Sequence, residues 1–275
     1  MRQPVFDPTQ LHALRAAAVQ PPLRPRIPLW AGASLIGSVE PNFLHQISLQ
    51  PLSNGRKQLL KEERPEGPGW HLQGDVTTGL NQLADALSRA GLAGVWRDEQ
   101  LAVSDQHGLR VGTVERAAVR PLGITTQAVH LVGQAGDGRF WVQQRAFNKP
   151  NDPGLWDTLM GGMISSADTL DSALARETWE EAGLHLTDLQ ALRYGGRIHT
   201  CRPADDGGGG GGGAGYLDEH LDWYRCTVPD GLVPVNQDGE VETFALMDGH
   251  GLLQKMQQGL FTLEAMLIQA AYWSS

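Results

Sequence analysis

The chain has 275 residues, which at about 150 residues per domain predicts one large domain or two modest ones. Of these residues, 41% are apolar and 19% are charged, a composition that excludes a disordered protein. No apolar run reaches the roughly 20 residues that cross a bilayer, and the start lacks the layout of a secretory signal, so we expect a cytoplasmic protein without membrane contact. Residues 1–120 hold 13 basic and 11 acidic residues, whereas residues 121–275 hold 9 and 20; this −11 balance argues against nucleic-acid binding.

Residues 1–120 are predicted to form a small α+β module. Its expected elements are a helix over residues 8–18, an extended proline-rich stretch over 21–28, a helix over 78–90, and short strands at 95–96, 101–103 and 111–114. Asp7 and Pro8 suit the N-cap and the first position of the first helix. The second helix follows from leucines 80, 83 and 87 on one face, and it is predicted to end at Gly91.

Residues 121–275 are predicted to form a second domain, with strand pairs around one strong helix. The expected elements are strands at 128–132, 140–144, 189–199, 221–228 and 241–246, a helix over 169–182 that ends at Gly183, and a terminal helix capped by Thr262. Residues 148–154, rich in Asn, Asp, Pro and Gly, are predicted to be a loop. The seven glycines of residues 207–213 offer no side chains to pack, so we interpret them as a flexible loop insertion.

An acidic stretch in the second half carries the strongest chemical signal. Glu177, Glu180 and Glu181 are spaced i, i+3 and i+4, so they share one face of the predicted helix. Three like charges there call for a positive partner, and carboxylate oxygens suit Mg²⁺ or Mn²⁺. Arg176 could orient one carboxylate through a bidentate hydrogen bond, and Gly161-Gly162 would let the backbone turn tightly before the helix. The spacing alone is also typical of a solvated acidic surface.

The same stretch resembles the Nudix box, Gly-x5-Glu-x7-Arg-Glu-U-x-Glu-Glu-x-Gly-U, where U is a bulky aliphatic residue. The matching positions are Gly162, Arg176, Glu177, Glu180, Glu181, Gly183 and Leu184. Asp168 stands where the box has glutamate, and its shorter reach leaves its role open. Thr178 stands at the first U position, where we expect an effect on packing only.

This resemblance implies a fold and a chemistry. The fold class would be an α+β N-terminal module followed by a Nudix α/β/α sandwich with a mixed sheet. The activity would be hydrolysis of a diphosphate by a divalent metal, Mg²⁺ or Mn²⁺, and water. The box carboxylates Glu177, Glu180 and Glu181 would be metal ligands, with Arg176 as their orienting partner. Nudix enzymes take the general base from different places, and Glu240 is our candidate, its alternative being a surface residue at a strand entry.

Segments outside the box resemble one bipartite Nudix branch, in which an N-terminal module precedes the Nudix domain and, in fungi, the pair is fused to thiamine pyrophosphokinase. The matching segments include Glu115-Arg116-Ala117, Trp96-Arg97-Asp98-Glu99, Pro153-Gly154-Leu155-Trp156-Asp157 and Asp238-Gly239-Glu240-Val241-Glu242. This branch implies hydrolysis of thiamine diphosphate and, preferentially, of damaged analogues such as oxothiamine and oxythiamine diphosphate, to the monophosphate plus phosphate. It leaves open whether the protein is a homodimer and whether the N-terminal module covers the substrate or only packs against the second domain.

Such a substrate implies cations for the diphosphate and a stacking platform for the heteroaromatic ring. The expected substrate-binding residues are Arg116, Arg145, Lys149, Trp156, Asp157, Gly161 and Gly162. Trp156 is the first candidate for the platform, with Trp141 and Trp96 as alternatives. Asp157 would either face the polar edge of the ring or cap its loop.

Other Nudix activities fit less well. ADP-ribose enzymes often place proline sixteen residues after the box, where this chain has Thr200, and the downstream aromatic signature of the NADH type is absent. Isopentenyl diphosphate isomerases need a cysteine before the box, whereas Cys201 and Cys226 both follow it. A pyrophosphatase of ADP-ribose, NADH or another nucleoside diphosphate derivative stays the first alternative. A non-catalytic nucleotide-sensing module is the second, although such modules typically lose the box glutamates, all three of which this chain keeps.

Overall fold

A computed structural model of the chain describes residues 4, 6–51, 55, 57–65, 67–204 and 215–274. The glycine tract predicted as a loop insertion, residues 207–213, lies outside the described residues. The elements in chain order are α1 (Pro8–Ala18), β1 (Ile27–Ala31), β2 (Ser34–Val39), β3 (Leu59–Arg64), β4 (Gly67–Leu72), α2 (Val76–Arg89), β5 (Gln100–Ser104), β6 (Arg110–Glu115), β7 (Thr126–Ala135), β8 (Phe140–Arg145), β9 (Trp156–Asp157), β10 (Met160–Met163), α3 (Leu170–Ala182), β11 (Gln190–Ala204), β12 (Gly215–Val228), β13 (Val241–Met247), α4 (Gly249–Gln257) and α5 (Leu263–Trp273).

The N-terminal part is built on a four-stranded sheet with the order β2-β1-β4-β3. The predicted leucine face of α2 is buried in the same core as this sheet: Leu80, Leu83 and Leu87 are all fully inaccessible to solvent. The helix begins two residues before its predicted start, because the Asp75 carboxylate accepts a hydrogen bond from the Thr78 amide at 2.8 Å. The α+β character expected of this part is therefore confirmed.

The strands β5 and β6 follow α2 near their predicted positions and pair as a hairpin. The prediction of a strand at residues 95–96 is wrong. Residues 95–96 belong to an irregular loop, in which the Trp96 indole donates to the Asp98 carboxylate at 2.7 Å. Asp98 has a φ of 55°, a left-handed conformation that is incompatible with a continuing strand. The local side-chain hydrogen bond therefore replaces strand pairing.

The second part is built on a mixed sheet of seven strands with the order β11-β12-β7-β8-β13, to which β10 adds on β7 and β9 on β8. Only the β12–β7 pair of this sheet is parallel. Core residues from α3 pack with Val129 and Leu131 of β7, whereas core residues from α4 and α5 pack with Val132 and Val142. The sheet is thus covered by helices on both faces, which confirms the predicted mixed α/β arrangement.

The helix α3 begins one residue after its predicted start, with Thr169 as its N-cap, and ends where the sequence predicts. The Thr169 hydroxyl accepts from the Ser172 amide at 3.1 Å, and Gly183 ends the helix with a φ of 63°. The prediction of a tight turn at Gly161-Gly162 is wrong, because both glycines lie in the extended strand β10. Their missing side chains serve close packing instead: a Cβ at Gly161 would overlap the His130 imidazole, and one at Gly162 would overlap the Glu177 carboxylate.

The first helix packs away from the N-terminal sheet. Leu14 and Ala18 of α1 share a small core with Leu267 and Ala270 of α5, at the other end of the chain. The division of the chain at residue 120 stays a prediction. Among the described residues, no helix combines the length and the apolar character needed to cross a membrane.

Candidate active site

A cavity of about 410 Å³ lies beside α3 and is lined by both parts of the chain. Among the described residues, its charged lining consists of seven basic and ten acidic side chains: Arg97, Arg116, Arg120, Arg145, Lys149, Arg176 and Arg202, with Glu99, Asp152, Asp157, Glu177, Glu180, Glu181, Glu219, Asp238, Glu240 and Glu264. The lining therefore carries a formal excess of three negative charges. This size is within the range of small-molecule sites.

The helix α3 presents the predicted carboxylates to this cavity. Arg176 connects them: one guanidinium nitrogen lies 2.9 Å from both the Glu177 Oε1 and the Glu180 Oε2 atoms. Its Nε and Nη2 atoms donate to Asp168 Oδ2 at 3.0 and 2.8 Å. The structure thus brings Arg176 together with three carboxylates, two more than the single carboxylate that the predicted bidentate bond involves.

The two departures from the box have structural explanations. Asp168 also accepts hydrogen bonds from the Ser165 and Ser172 hydroxyls, at 3.1 and 2.9 Å, so its shorter side chain is held in place to receive Arg176. Thr178 is fully buried and donates to the Leu174 carbonyl at 2.6 Å. It therefore acts in packing, as the sequence predicts.

Glu181 is the most deeply buried of the box carboxylates, with 2% of its surface exposed. Its Oε2 atom accepts hydrogen bonds from the backbone amide of Gly161 at 2.9 Å and from the side-chain amide of Gln143 at 2.8 Å. Burial raises the pKa of Glu181 to about 8, against the opposing attraction of Lys149. The negatively charged form of Glu181 therefore lacks full charge compensation from its surroundings.

Glu177 is also largely buried, and its carboxylate packs against the bare backbone of Gly162. Burial raises the pKa of Glu177 to about 7, and the neighbouring Glu180 adds to this rise while Arg176 opposes it. In their present positions no three His, Cys, Asp or Glu side chains among the described residues form a ready metal-binding group. The donors nevertheless suit a divalent cation, because they are carboxylate oxygens that lack full charge compensation.

Lys149 and Glu240 form an ion pair at the mouth of the same cavity. The Lys149 ammonium also lies 4.0 Å from Glu181. Although partial burial acts in the opposite direction, Lys149 lowers the pKa of Glu240. The structure therefore places both predicted residues at the cavity, with the candidate base held by a cation.

Arg145 and Asp157 line the inner part of the cavity, where His130 joins them. Arg145 lies 3.5 Å from the Asp157 carboxylate and donates to the Asn151 carbonyl at 3.1 Å. Asp157 accepts from the Thr158 amide at 2.8 Å. Both predicted residues thus line the cavity, and Asp157 at the end of β9 is held by the Thr158 amide and by Arg145 together.

Trp156 does not line the cavity, so the stacking role predicted for it has no support from its placement. Its ring belongs to the apolar core beneath β8 and α5, and the Lys255 ammonium lies 5.5 Å from its centroid. The alternatives Trp141 and Trp96 do not line the cavity either. In the part of the chain that the structure describes, the cavity wall contains no Trp, Tyr or Phe side chain.

A polar cluster from β11, β12 and the start of α5 also lines the cavity, and no sequence pattern predicted it. Arg202 lies 2.8 Å from Glu264, and the Thr126 hydroxyl donates to Glu219 at 2.9 Å. Burial raises the pKa of Glu219, and the nearby Glu264 adds to the rise. These residues follow no motif, and it is the pairing of β12 with β11 and β7 together with the packing of α5 that brings them to the cavity.

The N-terminal part contributes Arg97, Glu99, Arg116 and Arg120 to the cavity. The predicted phosphate contact Arg116 is present, but its guanidinium is paired with Glu99 at 2.7 Å. Neither cysteine lines the cavity; Cys226 lies in the core, where burial raises its pKa to about 12.

Comparison with known proteins agrees with this geometry. The sequence model of the NUDIX domain matches residues 125–263, which is half of the chain and includes the whole of α3. The chain belongs to the Nudix family. A solved structure from Deinococcus radiodurans, the protein DR0079, matches with a TM-score of 0.50 at 19% identity, covering 63% of this chain and 99% of that one. At this identity the likeness shows the Nudix fold alone.

Two relatives extend the match beyond the Nudix domain. Nudix hydrolase 20, chloroplastic, of Arabidopsis thaliana is 30% identical over 185 residues, which cover 63% of this chain and 45% of that protein. An uncharacterized protein of Saccharomyces cerevisiae is 25% identical over 214 residues, 70% of this chain and 60% of its own. The Nudix chain described here therefore matches about half of each relative's length.

Proposed function

We propose that this Nudix protein is a divalent-metal-dependent hydrolase of a diphosphate bond in a small organic molecule. The observation that carries the proposal is the convergence of Glu177, Glu180 and Glu181 on one wall of a cavity that also holds Lys149 and Arg145. Carboxylates that bind a metal and cations that bind phosphate are the two requirements of this reaction.

The roles of the residues follow from their contacts. Glu177, Glu180 and Glu181 would hold the metal, whose chemistry is to neutralise phosphate charge and to activate water. Arg176 orients two of these carboxylates, and Lys149 and Arg145 would contact the phosphates. Glu240 would accept the proton of the attacking water, provided that Lys149 moves from Glu240 to a phosphate when the substrate binds.

For the substrate we propose thiamine diphosphate and, preferentially, its damaged analogues oxothiamine and oxythiamine diphosphate. The resemblance to the bipartite branch is one support. The other is the cavity's formal excess of three negative charges, to which the buried Glu219 and the half-buried Glu264 contribute. Carboxylates accept hydrogen bonds from amino groups and attract cationic heterocycles, and thiamine diphosphate carries both. Oxythiamine lacks the amino group and oxothiamine lacks the cationic ring, so the proposed preference for these analogues rests on the resemblance alone. The water oxygen would bond to the terminal phosphorus while the bond from this phosphorus to the bridging oxygen breaks, so that the bridging oxygen stays with the monophosphate and the other product is phosphate.

The test is phosphate release in the presence of Mg²⁺, scored by kcat/KM. The panel contains thiamine diphosphate, oxothiamine diphosphate, oxythiamine diphosphate, ADP-ribose and NADH, the last two coupled to a phosphatase. Highest values on the oxidised thiamine forms support the proposed substrate. Highest values on ADP-ribose or NADH would leave the diphosphate chemistry intact and reject the thiamine assignment.

The Glu180→Gln variant separates an enzyme from a non-catalytic sensor. We expect a loss of turnover of at least about 10²-fold with an unchanged circular dichroism spectrum, since one metal ligand is removed and 41% of the Glu180 side chain is exposed. Undiminished metal-dependent hydrolysis by this variant would reject the metal-ligand assignment. A wild-type protein that binds these ligands but turns none of them over would be a sensor.

A further inference from the structure

The hairpin of β5 and β6 is hydrogen-bonded directly to the loop that precedes α3. The Ser166 amide donates to the Gln100 carbonyl at 2.7 Å, and the Arg110 guanidinium donates to the Ser166 carbonyl at 2.8 Å. Leu101 also forms an isolated antiparallel bridge with Ser165. The N-terminal part is therefore fixed beside the box, and its side chains reach the cavity from a defined position.

The loop of residues 96–99, between α2 and this hairpin, brings Arg97 to the cavity wall. The Arg97 amide donates to the Glu115 carboxylate at 2.9 Å, and Glu115 is itself buried. The Arg116 amide donates to the Glu99 carbonyl at 2.8 Å, which closes the other end of the loop. These hydrogen bonds thus hold the backbone at Arg97 in place and do not involve its guanidinium.

Arg97 differs from most other cavity cations in its surroundings. Five of them lie within 4.0 Å of carboxylate oxygens, namely Arg116, Arg145, Lys149, Arg176 and Arg202. Within the part of the chain that the structure describes, the Arg97 guanidinium has neither a hydrogen-bond partner nor a salt-bridge partner. A full positive charge without a counter-ion on the wall of a cavity is available to an anionic ligand.

We infer that Arg97 is a phosphate-binding residue, by which the N-terminal part completes the active site of the Nudix domain. This inference rests on the proposed function, because it assigns Arg97 to a phosphate group of the diphosphate substrate. Arg116 contributes less, because Glu99 offsets its charge. Since Arg97 binds the phosphate in the ground state and the transition state alike, its loss raises KM and leaves kcat nearly unchanged.

The experiment compares the wild type with Arg97→Ala, Arg97→Lys and the control Arg89→Ala. Arg89 is an exposed arginine at the end of α2, in the same part of the chain, and it does not line the cavity. We expect Arg97→Ala to raise KM about 10- to 30-fold and to change kcat less than about threefold, with partial recovery in Arg97→Lys. The control is expected to match the wild type.

Calorimetric titration with methylenediphosphonate and Mg²⁺ measures phosphate binding without turnover. The Kd is expected to rise by a similar factor, about 10- to 30-fold, in Arg97→Ala alone. Unchanged KM and Kd in this variant, or an equal loss in Arg89→Ala, would overturn the inference. A wild type that hydrolyses nothing on the panel but binds methylenediphosphonate through Arg97 would reject the proposed function and support the subsite.

Discussion

The substitution Gly162→Ala tests whether Glu177 must keep its position. A Cβ at residue 162 would overlap the Cδ and both carboxylate oxygens of Glu177, whereas ordinary contacts between nonbonded heavy atoms are about 3.5 Å or longer. The carboxylate must therefore move by about 1 Å, and a displacement of this size in a catalytic site lowers the rate about 10²-fold. This factor corresponds to about 2.7 kcal/mol of activation free energy.

The clash involves only the end of a flexible side chain, so we expect Gly162→Ala to keep its fold and to shift Tm by less than about 3 °C. The assay is Mg²⁺-dependent phosphate release, measured for the wild type, Gly162→Ala and the control Gly251→Ala. A Cβ at Gly251 in α4 would lie 3.4 Å from the Asp248 carboxylate, which is an ordinary contact. If Gly162→Ala reaches the wild-type kcat at the same Mg²⁺ concentration, the position of Glu177 is not required and the reasoning is refuted.

Two further predictions concern a proton acceptor and a buried histidine. If Glu240 is the general base, Glu240→Gln lowers kcat by about 10²- to 10⁴-fold with little change in KM. The control Glu242→Gln changes an exposed position on β13 and is expected to keep a kcat near that of the wild type. A loss of kcat of only a few-fold in Glu240→Gln would place the base elsewhere. Burial lowers the pKa of His130 below its ordinary value of 6.5, so the unfolded chain binds more protons than the folded one below about pH 6.5, and stability falls as the pH decreases through the folded pKa. In urea titrations between about pH 7.5 and 5.5 we therefore expect His130→Gln to lose less stability than the wild type, and parallel losses would contradict this assignment.

The elements that the sequence predicted best are those whose signals are local. The helix α3 has its cap at Thr169, its glycine end at Gly183 and its acidic face all within fifteen residues, so no distant contact is needed to recognise it. The strands β1 to β4 were missed, apart from the extended proline-rich stretch that leads into β1. The strand β3 reads Leu-Leu-Lys-Glu-Glu-Arg and β4 begins Gly-Pro-Gly, and neither shows a regular alternation of apolar and polar residues. They become strands through tertiary pairing, in which β4 pairs with β1 and β3 pairs with β4.

The same distinction applies to the candidate site. The box residues could be assigned because their spacing on one helix determines their geometry. Arg97, Arg202, Glu219 and Glu264 come from a loop, two strands and a helix start, and each alone is an ordinary polar residue. Their convergence depends on tertiary packing and strand register, which no local pattern encodes. Trp156 lies outside the cavity wall for the related reason that its position before the box does not determine which face of β9 its ring occupies.

The replacement of glutamate by Asp168 becomes understandable from the position of the N-terminal part. The hairpin of β5 and β6 binds the backbone of Ser165 and Ser166, and the Ser165 hydroxyl donates to Asp168. Asp168 in turn holds Arg176, which orients Glu177 and Glu180. A side chain one methylene shorter can serve here because the loop that carries it is fixed by the hairpin. The N-terminal part therefore contributes to the site in two ways, by supplying cations to the cavity and by supporting the loop on which the arrangement of the box carboxylates depends.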